Sequence, residues 1–86
     1  MQTSLLVEEL VRVAEHLGIE IRFEEADTPG GVFTLKGRKT VLLGKNASNL
    51  EKIDVLTNAL AEEKRLDEIY LLPEARRLVE EKRAKM

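Results

Sequence analysis

The chain has 86 residues, no cysteine and a formal net charge of −2, from 14 basic and 16 acidic side chains. This length suits a single domain spanning residues 1–86. Because there is no cysteine, disulfides and thiolate metal sites are excluded. The charge balance lacks the basic footprint of a nucleic-acid binder or of a protein that docks on anionic membranes, so we expect neither partner.

The N-terminal residues do not resemble a secretion signal. Leu5-Leu6-Val7 runs directly into Glu8-Glu9, with no basic segment before it. No apolar stretch approaches the roughly 18 residues that a membrane helix needs. We therefore expect a soluble protein of the cytoplasm.

The first elements are an amphipathic helix and a strand. Thr3 or Ser4 is a suitable helix cap, and Gly18 stands where a C-terminal cap needs positive φ. The apolar positions between them recur at helical spacing: Leu6, Leu10, Val13, Ala14 and Leu17. The period then changes from 3.6 to 2, because apolar and charged residues alternate over residues 19–24. This alternation predicts a half-buried strand.

Two further strands are predicted after a break at residues 28–31, where proline and glycine interrupt the chain. Residues 32–36 form the second strand, with Phe33 and Leu35 as its inward pair. Gly37-Arg38 suits a tight hairpin turn with glycine first. Residues 40–43 form the third strand. Two adjacent hairpins predict a three-stranded antiparallel meander.

Helices are predicted to cover one face of this sheet. Ser48-Asn49-Leu50-Glu51 is a capping box, and the apolar stripe after it continues to about Lys64. Residues 69–72 form an apolar tether that pins a segment to the core, either extended or added as a fourth strand. Pro73 begins a last helix, whose end beyond residue 80 is expected to fray. The predicted fold is α+β, in the order α-β-β-β-α-α.

The residue types that carry catalysis are sparse, and each has a structural explanation. His16 is the only histidine, and near a helix C-terminus it favours a dipole contact over catalysis. Glu24, Glu25 and Asp27 could bind a hard cation loosely, but they lack the oxygen spacing of a calcium loop. Ser48 is explained as a helix cap. We therefore predict no catalytic, cofactor-binding or metal-binding residue, no cofactor and no identifiable small-molecule ligand.

The order of one helix, three strands and a second helix is also that of double-stranded RNA-binding domains. That family places lysines at the start of its second helix to contact phosphates across the groove. The matching stretch here, residues 45–54, has Lys45 and Lys52 but also Glu51 and Asp54. Topology alone does not establish function, so we do not expect RNA binding.

A second pattern runs through the middle of the chain. Gly-Gly-Val-Phe-Thr-Leu-Lys-Gly at residues 30–37 is followed by an apolar strand, a leucine- and alanine-rich helix and Tyr70-Leu71-Leu72-Pro73. Over residues 19–78 this succession resembles a family of small uncharacterised bacterial proteins with a Gly-Gly, strand, amphipathic-helix and Leu-Pro pattern. The resemblance implies a fold and no activity.

The function predicted from the sequence is that of a non-enzymatic protein-interaction or structural module. The alternative is an enzyme or ligand-binding subunit whose site forms only between subunits. A homodimer, or a complex with another protein, is expected, because a meander leaves two edges unpaired. The candidate interface is the uninterrupted third strand: Thr40, Val41, Leu42 and Leu43. The competing explanation is that residues 69–72 cover this edge within the same chain.

Overall fold

The computed structural model describes residues 2–25 and 30–85. Within these two ranges, three helices and three strands follow each other in an α+β order, with a short 3-10 helix over Lys64–Glu68. The elements are α1 (Thr3–His16), β1 (Glu20–Glu24), β2 (Gly30–Leu35), β3 (Arg38–Gly44), α2 (Asn49–Ala61) and α3 (Pro73–Ala84).

The strand order in the sheet is β1-β3-β2, with β1 parallel and β2 antiparallel to β3. The α+β class is therefore confirmed, whereas the antiparallel meander is wrong. Part of this order agrees with the composition of the strands. β3 is apolar from Val41 to Leu43, as expected of a strand with neighbours on both sides. β1 alternates with charged residues, which suit an edge.

The hairpin between β2 and β3 turns one residue earlier than predicted. Leu35 pairs with Arg38, so the two loop residues are Lys36 and Gly37. Their φ angles are +54° and +77°. Two positive φ values define the turn type whose twist matches that of the flanking strands.

The helices cover one face of the sheet. Val41 and Leu43 lie on this face, and both are fully buried. They belong to the core together with residues of all three helices: Leu10, Val13, Leu56, Leu60, Ala75 and Val79. Phe33 and Leu35 were predicted to point inward, and this is wrong. The register places Phe33 opposite Thr40, and so on the other face from Val41.

The helix ends agree in part with the predictions. The capping box of α2 is confirmed, since the amide of Glu51 donates to Ser48 Oγ at 3.1 Å and the Glu51 carboxylate accepts from the Ser48 amide at 3.0 Å. Gly18 has a φ of +84°, as its predicted role requires. The predicted cap of α1 is wrong, because the helix begins after Gln2 with no side-chain cap bond. α2 ends at Ala61, before Lys64.

Residues 69–72 link the 3-10 helix to α3 and are not assigned to a strand in the part of the chain that the structure describes. Leu71 is buried in the core. The amide of Leu72 donates to the Glu9 carboxylate at 3.0 Å. The segment is therefore the extended tether of the first alternative. α3 begins at Pro73 as predicted; the fraying of its end stays a prediction.

Candidate functional site

The predicted interface strand lies in the middle of the sheet. β3 pairs with β1 on one side and with β2 on the other, so the edge position on which the interface prediction was based is wrong. Thr40, Val41 and Leu43 are buried, while Leu42 is half-buried on the face away from the helices. The role of these four residues in an interface stays a prediction.

Those residues considered for chemistry that the structure describes lie at the ends of three different elements. His16 is exposed in the last turn of α1, and Ser48 caps α2. Glu24 and Glu25 are exposed at the end of β1, and Asp27 lies outside the described residues. Within residues 2–25 and 30–85, no three side chains of the types that bind metals converge.

A groove between α2 and α3 has a volume of about 210 Å³. Leu50, Ile53 and Leu78 line it, and an ion pair between Asp54 and Lys82 joins its two walls. Ligand pockets are usually about 300–1,000 Å³. The groove is thus smaller than a usual ligand pocket, and its ion pair links the two helices that form it.

Charged side chains of α3 connect this helix to the preceding 3-10 helix. Arg76 and Arg83 each place a guanidinium nitrogen 3.0 Å from a carboxylate oxygen of Asp67. The hydrogen bond from Arg83, and then that from Arg76, lowers the pKa of Asp67 below its ordinary value. Arg83 also donates to the carbonyl oxygens of Ala61 and Glu63 near the end of α2. These charges hold the helices to one another.

The aromatic residues are distributed in an unusual way for a folded domain. The chain has two phenylalanines, one tyrosine and no tryptophan. All three are exposed: Phe23 by 49%, Phe33 by 41% and Tyr70 by 73%. Large aromatic side chains usually dominate cores, and on surfaces they are enriched where proteins meet. The core of this protein is instead built from aliphatic side chains.

Exposed apolar side chains concentrate in β2. Val32, Phe33 and Leu35 are exposed by 37%, 41% and 38%. We call these three residues of β2 the apolar edge strand. In the part of the chain that the structure describes, β2 pairs with β3 alone, so its outer side is free.

The two edges of the sheet differ in charge. Edge strands usually carry charges that prevent pairing with other chains. β1 carries three: Glu20, Arg22 and Glu24. β2 consists of Gly-Gly-Val-Phe-Thr-Leu. This edge was not predicted from the sequence, because the alternation in residues 32–36 was interpreted as an inward and an outward face. The uncharged composition of β2 was the signal that could have identified it.

Comparison of the chain with protein-family models, with curated proteins and with solved structures finds no match in any of the three. Among the described helices, none combines the length and the apolar character needed to cross a membrane.

Proposed function

We propose that the protein is a non-enzymatic interaction module of the bacterial cytoplasm, and that it acts as a homodimer through the apolar edge strand. The observation that carries this proposal is the exposure of Val32, Phe33 and Leu35 together on one uncharged edge. Such an edge is a template for pairing with another chain unless it is covered.

The size of the domain supports a second copy as the partner. A chain of 86 residues buries a smaller fraction of its surface on folding than a larger domain does. Covering apolar surface contributes about 25 cal/mol per Å². A symmetric dimer covers the same strand on both copies at once, so each exposed apolar side chain contributes twice.

The test is the molar mass in solution, measured by light scattering across a concentration series. The chain has a mass of 9.7 kDa, and we expect twice this value at high concentration. Phe33→Lys places a charge on the apolar edge strand and should shift the mass towards that of the monomer. Tyr70→Lys is the matched control, because Tyr70 is an exposed aromatic residue outside the sheet.

Circular dichroism in the far ultraviolet checks that both variants stay folded. A wild-type mass of 9.7 kDa at every concentration would overturn the proposal. Equal dissociation by Phe33→Lys and Tyr70→Lys would also contradict it, because the contact would then lie outside the apolar edge strand.

A further inference from the structure

The turn between β2 and β3 determines which backbone groups of β2 are free. Its two-residue loop closes on the pair Leu35 and Arg38, which exchange hydrogen bonds across the turn. In an antiparallel pair, hydrogen-bonded and non-hydrogen-bonded residues alternate. Leu35 and Phe33 therefore bond to β3, whereas Val32 and Thr34 direct their N–H and C=O groups to the outer edge.

The exposed side chains of β2 lie on both faces of the sheet. Val32 is opposite Val41 and shares the face that the helices cover. Phe33, opposite Thr40, and Leu35, opposite Arg38, lie on the other face. A partner that packed on one face of the sheet would leave exposed either Val32 or the pair Phe33 and Leu35. A partner strand beside β2 would contact both.

The two ends of the sheet differ in charge, although the acidic end belongs to β1, which β3 separates from β2. Glu24 and Glu25 stand at the end where β2 begins, and Lys45 lies 4.0 Å from Glu25, which offsets part of this charge. Lys36 and Arg38 stand at the turn where β2 ends. An antiparallel arrangement of two copies brings the acidic end of one near the basic end of the other. A parallel arrangement would bring like charges together.

We propose that two copies join antiparallel at their β2 edges and form one continuous six-stranded sheet. This inference rests on the proposed function and specifies its geometry. The outward N–H and C=O groups of Val32 and Thr34 pair with those of the second copy. The two β2 strands become central in the combined sheet. The charged β1 strands form both outer edges, where their charges are favourable.

The rival geometry is face-to-face packing around Leu42. On that face Leu42 lies beside Arg22 of β1 in the register. Arg22 and Glu20 form an ion pair at 3.1 Å, with about half of the arginine side chain exposed. Face packing would bury charges beside Leu42, and desolvation of charged groups opposes this.

Amide hydrogen exchange, followed residue by residue by nuclear magnetic resonance, distinguishes the two geometries. With edge pairing, the amides of Val32 and Thr34 gain protection as the concentration rises, by at least about tenfold when most of the protein is dimeric. The amide of Phe33 bonds to β3 in either state and serves as the internal reference. A dimer in which the amides of Val32 and Thr34 exchange as fast as in the monomer would overturn edge pairing.

Two variants give an independent test by light scattering. Thr34→Pro removes an outward N–H, which an edge strand tolerates within one chain, and should abolish the dimer. Leu42→Lys changes the open face only and should leave the dimer intact. Dissociation by Leu42→Lys but not by Thr34→Pro would show face packing and overturn this inference, while self-association itself would stand. A monomeric wild-type protein would refute the proposed function as well. If Thr34→Pro does not fold, the exchange measurement decides.

Discussion

Lys39 in the sheet donates to the carbonyl oxygen of Ala59 in the last turn of α2, with a distance of 2.6 Å between the two atoms. The same ammonium group lies 3.3 Å from Glu62 and 3.1 Å from Glu63. The last carbonyls of a helix have no partners within the helix, and a cation there also offsets the helix dipole. A strand side chain thus caps the end of the helix that covers it.

Lys39→Met should lower the free energy of unfolding by about 1–3 kcal/mol, because it removes a charged hydrogen bond to a partly buried carbonyl. Urea denaturation measures the change. Lys45→Met is the control, since Lys45 is more exposed and lies 4.0 Å from the carboxylate of Glu25. We expect a change below about 0.5 kcal/mol for the control. Similar losses in both variants would show that the cap at Ala59 is not important for stability.

The carboxylate of Glu9 should make stability depend on pH. The hydrogen bond from Arg12, at 2.9 Å, lowers the pKa of Glu9 most, burial raises it, and the amide of Leu72 lowers it further. The pKa in the folded state is thus below the unfolded value of about 4.3. The stabilisation is therefore present above that value and is lost as the pH falls through the lowered pKa of the folded state.

Glu9→Gln should reduce the loss of stability as the pH falls below about 4.3, because this titration is then absent. Urea denaturation at a series of pH values measures the effect. Glu8→Gln on the same helix is the control, because the Glu8 side chain is exposed. If the two variants show the same pH profile, the contacts of Glu9 do not produce the dependence.

Gly30 should not tolerate a side chain, whereas its neighbour Gly31 should. A Cβ on Gly30 would overlap the carbonyl oxygen of Leu42 and lie 2.8 Å from its carbonyl carbon, and φ at Gly30 is +125°. Gly30→Ala should cost about 3 kcal/mol. A Cβ on Gly31 meets no atom of the described residues within 4 Å. Gly31→Ala should change stability by less than about 1 kcal/mol, and a comparable loss in both would contradict the close approach at Leu42.

The contribution of the tether between the 3-10 helix and α3 to stability should come mainly from one side chain. Leu71 is 4% exposed, whereas Tyr70 beside it is 73% exposed. Leu71→Ala should lower the free energy of unfolding by about 2–4 kcal/mol, because it leaves a cavity in the core. Tyr70→Ala keeps the backbone carbonyl that accepts from Arg12 and should change stability by less than about 1 kcal/mol. Thermal or urea unfolding of both variants tests this difference.

Features with local causes could be predicted from the sequence. Ser48 and Glu51 satisfy each other's amides within four residues, Gly18 adopts a positive φ where a helix ends, and Pro73 begins a helix. Each depends on residues that are adjacent or one turn apart. Their physical causes are therefore contained in a short stretch of sequence.

Features that depend on segments distant in the chain could not be predicted from the sequence. Nothing within β1 indicates that it pairs with β3 in parallel rather than with β2, because pairing is decided by which strand occupies the centre. The orientation predicted for Phe33 was wrong for the same reason, because the face on which Phe33 lies follows from its pairing with Thr40. The cap that Lys39 provides for α2 joins a strand to a helix and has no local motif.

The strand order also has a consequence for the order of assembly. The pairs between β2 and β3 join residues that are 3 to 13 positions apart, whereas those between β1 and β3 join residues 20 positions apart. Closing the shorter loops costs less entropy, so the hairpin can form before β1 arrives. The first strand in the chain is then the last to enter the sheet, and substitutions in β1 should accelerate unfolding more than they slow folding.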